Sequence, residues 1–209
     1  MILNCLITGV GGQGTVLLSR LIGAAATARG FDVRGSETIG MAQRGGSVVS
    51  HLRIGQNIHS PLIPHGKADL IIAFEPGEAV RVLPFLAPGG RMLVLDRGVI
   101  PVTDALRGRT YNPAEMTAFL KTEFARSRED KAADAAGAER LFVFSGEELI
   151  RKCGTSKVIN TALLGIGTAK KLLPFGPGDI LAVLKERLPP KYLDLNIRAF
   201  NEGMETGSA

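Results

Sequence analysis

Two stretches of the chain have residue types and spacing that can do chemistry: Gly9-Val10-Gly11-Gly12-Gln13-Gly14, and Glu37-Thr38-Ile39-Gly40-Met41-Ala42-Gln43-Arg44-Gly45-Gly46-Ser47. Glycines at 9, 11 and 14 have the G-x-G-x-x-G spacing of a dinucleotide-binding turn. A turn of this kind leaves backbone N–H groups unpaired at the start of a helix, where the helix dipole is positive, and so cradles a phosphate or carboxylate. Gly9, Gly11, Gly12, Gln13 and Gly14 would form the cradle, with the Thr15 hydroxyl as a further donor. Close helix–strand packing is the competing use of the same glycines. In the second stretch Gly40, Gly45 and Gly46 permit close backbone approach to a cofactor or a partner. Arg44 offers a fixed fork for an anion, and Glu37 can pair with Arg44 or face a neighbouring chain. Thr38, Met41, Gln43 and Ser47 complete a polar loop whose plain alternative is a glycine-rich corner. Farther along, Asn160 lies in the small-residue run Ile159-Asn160-Thr161-Ala162-Leu163-Leu164-Gly165, where it either points at a cleft or bonds a neighbouring loop.

The elements that must hold these residues follow from hydrophobic patterning. The apolar run Cys5-Leu6-Ile7-Thr8 precedes the turn and an Ala-rich apolar stretch from Thr15 to Arg29 follows it, which predicts strand 2–8 and helix 13–29. Phe31-Asp32-Val33-Arg34-Gly35 supplies a second strand, 31–36, and Glu37 is the acid that a ribose would meet there. A dinucleotide unit then requires a second crossover helix. The chain gives loop 37–46 and then Ser47 to Ile54, in which Val48, Ser50, Leu52 and Ile54 share one parity, the signature of a strand. Gly55-Gln56-Asn57 predicts a turn into Ile58-His59-Ser60 and hence a hairpin. This departure weighs against NAD. Strand 69–74, helix 76–86 stopped by Pro88-Gly89-Gly90, and strand 91–96 come next. Asn112-Pro113-Ala114-Glu115 starts another helix. Arg126 to Arg140 reads as a solvated helix or an insertion. Strand 141–144, a helix capped by Ser145 and Glu148, and helices at 157–172, 178–187 and 191–204 complete the order. The predicted fold class is α/β: one domain, 1–209, with a doubly wound, mostly parallel Rossmann-like sheet, an antiparallel hairpin after the second strand and C-terminal helices.

Composition narrows the classes. The 209 residues are 45% hydrophobic and 22% charged, an ordinary globular balance. Two cysteines, Cys5 and Cys153, are too few for an iron–sulfur cluster, which usually takes four, and they read as apolar fillers rather than a disulfide. The net charge of +5 comes from scattered Lys and Arg, with two Tyr and no Trp. Neither a basic stripe nor a stacking platform for nucleic acid is present. No apolar run reaches the ~20 residues of a membrane span, and the first residues lack the basic region of a signal peptide, so a cytoplasmic protein is predicted. His51, His59 and His65 have no ligand spacing and read as surface or loop residues, so no metal is expected. Ser19 and Ser50 lack a nucleophile elbow, which leaves hydrolase chemistry unsupported.

Taken together and in this order, the two motifs resemble the gamma-type subunit or domain of 2-oxoacid:ferredoxin oxidoreductases, in particular the beta subunit of the indolepyruvate branch. The likeness continues through Ala68 to Glu75, Gly89 to Asp96 and Lys157 to Gly165, and covers most of the chain. The resemblance implies oxidative decarboxylation of a 2-oxoacid, indolepyruvate or another aryl pyruvate, to an acyl-CoA with reduction of ferredoxin. This chain has neither a thiamine-type Gly-Asp-Gly…Asn site nor cluster cysteines. Thiamine diphosphate, Mg and iron–sulfur clusters are therefore expected on a larger partner subunit, and no cofactor on this chain alone, unless coenzyme A sits at the glycine turn. Ferredoxin would be met through the complex. Two other classes stay open at this point: a stand-alone NAD(P)-binding reductase, and a non-catalytic assembly subunit.

Overall fold

The computed structural model describes residues 2–38, 45–99, 111–129 and 139–209. Six strands form one sheet in the order β2-β3-β1-β4-β5-β6: β1 (Leu3–Val10), β2 (Asp32–Glu37), β3 (Ser47–Gly55), β4 (Ala68–Ala73), β5 (Leu86–Asp96) and β6 (Leu141–Ser145). β1, β4, β5 and β6 are parallel to one another, whereas β3 runs antiparallel to both β1 and β2. The helices are α1 (Thr15–Ala28), α2 (Pro76–Val82), α3 (Pro113–Glu129), α4 (Gly146–Cys153), α5 (Ile159–Ala169), α6 (Pro177–Arg187) and α7 (Pro190–Ser208).

The central strands are apolar on both sides because both faces of the sheet are covered. Their alternation splits the core in two. Cys5, Ile7, Leu70, Ile72, Leu93 and Leu95 point to one face with side chains of α1, α4, α5, α6 and α7, while Leu6, Ile71, Ala73, Met92 and Val94 point to the other with Ala79, Val82, Leu120 and Phe124 of α2 and α3. The helices after β1 and β4 thus lie on opposite faces. In an open α/β sheet that places a crevice at the carboxyl ends of these two strands, where ligands bind.

The α/β class, the mixed sheet and the order of elements agree with the sequence expectation; four local expectations do not. Ile58-His59-Ser60 forms no strand. The antiparallel partners of β3 are β2 and β1, and positive-φ Asn57 (φ 59°) turns the chain away from the sheet instead of into a hairpin. The helix predicted over 76–86 ends at Val82, with a single 3₁₀ turn over Leu83–Phe85, because Pro84 has no N–H to continue it. Pro88-Gly89-Gly90 does not stop a helix. It lies inside β5, where Gly89 has φ 79° and the register against β4 shifts. His51, expected on the surface, is half-buried in β3, its Nδ1 accepting the Ile63 N–H at 3.1 Å.

The caps read from sequence are present. Asn112 Oδ1 accepts from the Ala114 N–H at 3.1 Å and Ser145 Oγ from the Glu148 N–H at 3.2 Å. Cys5 is wholly buried and Cys153 partly so, and both thiols are free. Among the described residues no helix is long and apolar enough to cross a membrane.

Candidate functional site

Gly12 (φ 104°) and Gly14 (φ 86°) take backbone conformations that L side chains rarely adopt, which is what lets the chain leave β1 and enter α1 within four residues. Gly14 is the N-cap of α1 and has no side chain to close the first turn. The amides at this helix start are orphan donors, at the positive end of a 14-residue helix. Asn160, at the start of α5, is packed against this turn. It is only 4% exposed, and a Cβ added at Gly14 would lie 2.8 Å from its Nδ2. Its Oδ1 accepts from the Thr161 N–H, while Nδ2 meets no acceptor among the described residues.

The other turn residues divide into those that face outward and those that hold the turn in place. Gln13 turns inward: its Oε1 accepts the Val10 N–H at 2.7 Å and its Nε2 donates to Phe74 O at 3.3 Å, bridging the ends of β1 and β4. Gly9 sits within β1, where a Cβ would come 2.6 Å from Gln13 Oε1. The Gly11 N–H is taken by Gly46 O at 2.8 Å, and the Gly45 N–H reaches Gly11 O at 3.4 Å. The glycine turn and the end of the polar loop are therefore stitched together by backbone, which explains why both segments are glycine-rich. Of the cradle residues read from sequence, Gly12, Gly14 and Thr15 remain at the cleft with amides that have no partner among the described residues.

That cleft has a volume of about 500 Å³ and is bounded by the turn, by Val16, Leu17 and Arg20 of α1, by Glu37 and Thr38, and by Val48 of β3. Glu37 closes β2, and Arg20, a residue not singled out in sequence, lies 3.9 Å from it and is 72% exposed. Gly40, Met41, Gln43 and Arg44 lie outside the described residues, as does the proposed Glu37–Arg44 pair.

Ser47 points to the opposite face, where a second group of polar residues was not anticipated. Its Oγ donates to Glu78 Oε2 at 2.5 Å. Glu78 is 3% exposed, is paired with Arg81 at 3.3 Å, and donates its N–H to Glu75 Oε2 at 2.8 Å, so that Glu75 caps α2. The Tyr111 hydroxyl donates to Glu75 and accepts from the Gly77 N–H. Burial pushes the Glu75 carboxyl above the usual carboxylate range against the pull of these hydrogen bonds, and burial with the neighbouring Glu75 raises the Tyr111 phenol. This network clamps the start of β3 to α2. The signal for it in sequence is Glu75-Pro76-Gly77-Glu78 directly after an apolar strand, at the carboxyl end where such sheets keep their polar residues.

The pyruvate ferredoxin/flavodoxin oxidoreductase profile matches residues 4–206. The chain belongs to this family. Among curated relatives, indolepyruvate oxidoreductase subunit IorB of Methanothermobacter thermautotrophicus is 36% identical over 201 residues, covering 96% of this chain and 95% of the relative. The protein of the same name in Thermococcus kodakarensis is 34% identical over 203 residues, covering 97% and 94%. Among solved structures, the gamma subunit of a keto/oxoacid ferredoxin oxidoreductase from Geobacter sulfurreducens superposes with a TM-score of 0.65 at 19% identity, covering 98% of each chain. The 2-oxoglutarate:ferredoxin oxidoreductase of Magnetococcus marinus, solved with 2-oxoglutarate, coenzyme A and succinyl-CoA bound, superposes at 0.67 and 17% identity, covering 99% of this chain and 31% of that one. The same fold thus occurs both as a separate subunit and as part of a longer chain.

Proposed function

We propose that this chain is the small subunit of an indolepyruvate:ferredoxin oxidoreductase and that its glycine turn holds the anionic end of coenzyme A. Membership of the family, with IorB relatives aligned along almost the whole chain, supports the first part. The observation that supports the second is the α1 N-terminus, where the amides of Gly14 and Thr15, unpaired among the described residues, open on a cleft of about 500 Å³ with the Asn160 side chain packed behind Gly14. Thiamine diphosphate and iron–sulfur clusters on a larger partner subunit would supply decarboxylation and electron transfer. This chain would bind and orient the acyl acceptor. A dinucleotide reductase is disfavoured because β3, an antiparallel strand, follows where a second crossover helix should stand.

The test has two stages. Purified at native expression, the chain is expected to bring down a large partner carrying iron and thiamine. In that complex Gly12→Val, which forces a β-branched residue to φ 104°, is expected to leave assembly intact and raise the KM for coenzyme A. An assembled variant with wild-type turnover at limiting coenzyme A refutes the cradle and favours a purely assembling subunit.

A further inference from the structure

Arg140 stands directly before β6, at the amino ends of the parallel strands and on the face covered by α2 and α3. The glycine turn is at the carboxyl ends and on the other face. The six residues of β4 alone put on the order of 20 Å between the two ends. Arg140 is only 8% exposed, yet it makes no ion pair with a carboxylate among the described residues. A guanidinium taken out of water is costly unless its charge is met. Here its partners are neutral. Nε donates to Gly90 O at 3.1 Å and Nη1 to Ser127 Oγ at 3.3 Å, with Ser127 Oγ itself donating to Phe124 O. The guanidinium carbon lies 5.5 Å from the centre of the Phe124 ring. Nη2 has no acceptor among the described residues. Glu123, the nearby acid, is held by Arg126 at 2.8 Å.

Arg140 borders two cavities. The larger, about 430 Å³, is walled by Leu83, Leu86, Ala87, Pro88 and Phe124, and Arg140 is the only cation among its described lining residues. The smaller, about 270 Å³, adjoins Lys121 and Glu139. An apolar chamber of the larger size with one placed charge is the usual form of a small-molecule site. We propose that the larger cavity binds a monocarboxylate whose apolar body is about the size of an aromatic ring. The carboxylate meets Nη2 of Arg140, and the body packs against Phe124 and Leu86. A planar fork of donors suits a carboxylate. A phosphate or a dicarboxylate would bring a further negative charge beside Glu123 with no second cation to meet it. The ligand supplies the anion that the buried guanidinium lacks and ties α3 to the starts of β5 and β6. The site is independent of what the glycine turn holds.

Phenylacetate is the probe, with acetate as the charge without the body and phenylacetamide as the body without the charge. Calorimetry on the assembled enzyme, saturated with coenzyme A so that the glycine turn cannot compete, is expected to show saturable binding of phenylacetate. Either control should bind about tenfold more weakly, the loss of one charge-assisted contact or of the apolar burial. Arg140→Met should weaken phenylacetate binding by about tenfold, and Arg140→Lys by less. Arg140→Met also removes the contacts to Gly90 and Ser127, so a second variant keeps them: Ala87→Phe fills the cavity from its β5 wall with Arg140 in place. It should abolish binding while the KM for the 2-oxoacid stays at its wild-type value. Binding that Arg140→Met or Ala87→Phe leaves intact lies elsewhere and overturns the proposal, as does phenylacetamide binding as tightly as phenylacetate. Absence of saturable binding to the assembled enzyme overturns it too, including the case in which a partner side chain already fills the cavity.

Discussion

Asn160 has an amide whose oxygen accepts from the Thr161 N–H, while its nitrogen lies against Gly14 with no acceptor among the described residues. A side-chain donor held beside an anion-attracting helix end is placed to serve an anion bound there. Replacing it with Asp preserves shape and exchanges that donor for a negative charge. In the assembled enzyme Asn160→Asp is expected to raise the KM for coenzyme A by tenfold or more, because a carboxylate now stands at the end of α1 that favours anions. Asn160→Ala, which only deletes the donor, should have the smaller effect of the two. Equal effects, or none, would mean that Asn160 does no more than fill space against Gly14. At this scale the sequence was legible where backbone conformation was at stake. Gly12 and Gly14 take the positive-φ turn that the glycine spacing signals. The inward rotation of Gln13 and the loss of the Gly11 amide to Gly46 were not legible, since both depend on where residues more than thirty positions away return in space. Arg20 was missed for a simpler reason: one Arg on an amphipathic helix looks like any solvated charge until a strand end is set against it.

Helices α5 and α7 are joined through glycines, and their contact fixes where Asn160 stands. A Cβ at Gly203 would lie 1.9 Å from Ala162 O, and one at Gly165 would lie 2.2 Å from Phe200 O. The backbones touch, so no side-chain rotation relieves an added group. Gly203→Val is expected to destabilise the chain by about 3 kcal/mol or more through overpacking of a contact that cannot move, read as a large fall in the urea midpoint. Gly154 provides the contrast. It ends α4 at φ 74° with open space around its Cα, and Gly154→Ala should cost only about 1 kcal/mol, the price of a left-handed conformation. Similar losses at the two sites would show that conformation, not contact, governs Gly203. Elements as such were largely readable. Helices were marked by caps such as Asn112 and Ser145, and the buried strands by uninterrupted apolar runs. The Ile58–Ser60 hairpin and the Pro88–Gly90 stop failed because local turn chemistry was read without its tertiary partner: β3 had already paired with β1 on one side and β2 on the other, and β5 absorbs its glycines as an irregularity at the end of the sheet.

Cys5 ties the stability of the entire sheet to a proton. It lies at the centre of β1 with neighbours on both sides, wholly buried, and burial with the nearby Asp69 carboxylate pushes its thiol up to about 12 from an ordinary 9.0. Below pH 9 the thiol is neutral in both folded and unfolded chains and costs nothing. Between pH 9 and about 12 the unfolded chain releases this proton and the folded chain keeps it, so the folded state binds more protons and stability must fall as pH rises. A shift of this size corresponds to about 4 kcal/mol when the window has been crossed, or about 1.4 kcal/mol for each pH unit within it. Tyr111 acts in the same direction at higher pH, its phenol being raised by burial and by Glu75. Cys5→Ala separates the two contributions: it removes the thiol and leaves the phenol. Urea unfolding at pH 8.0 and pH 10.5 should show the wild-type chain losing about 2 kcal/mol more between these values than Cys5→Ala does, although the variant starts less stable because it leaves a small cavity. Parallel losses would mean that the thiolate is accommodated in the folded sheet, by water entry or by movement of Asp69, and that the centre of β1 is less closed than its burial indicates.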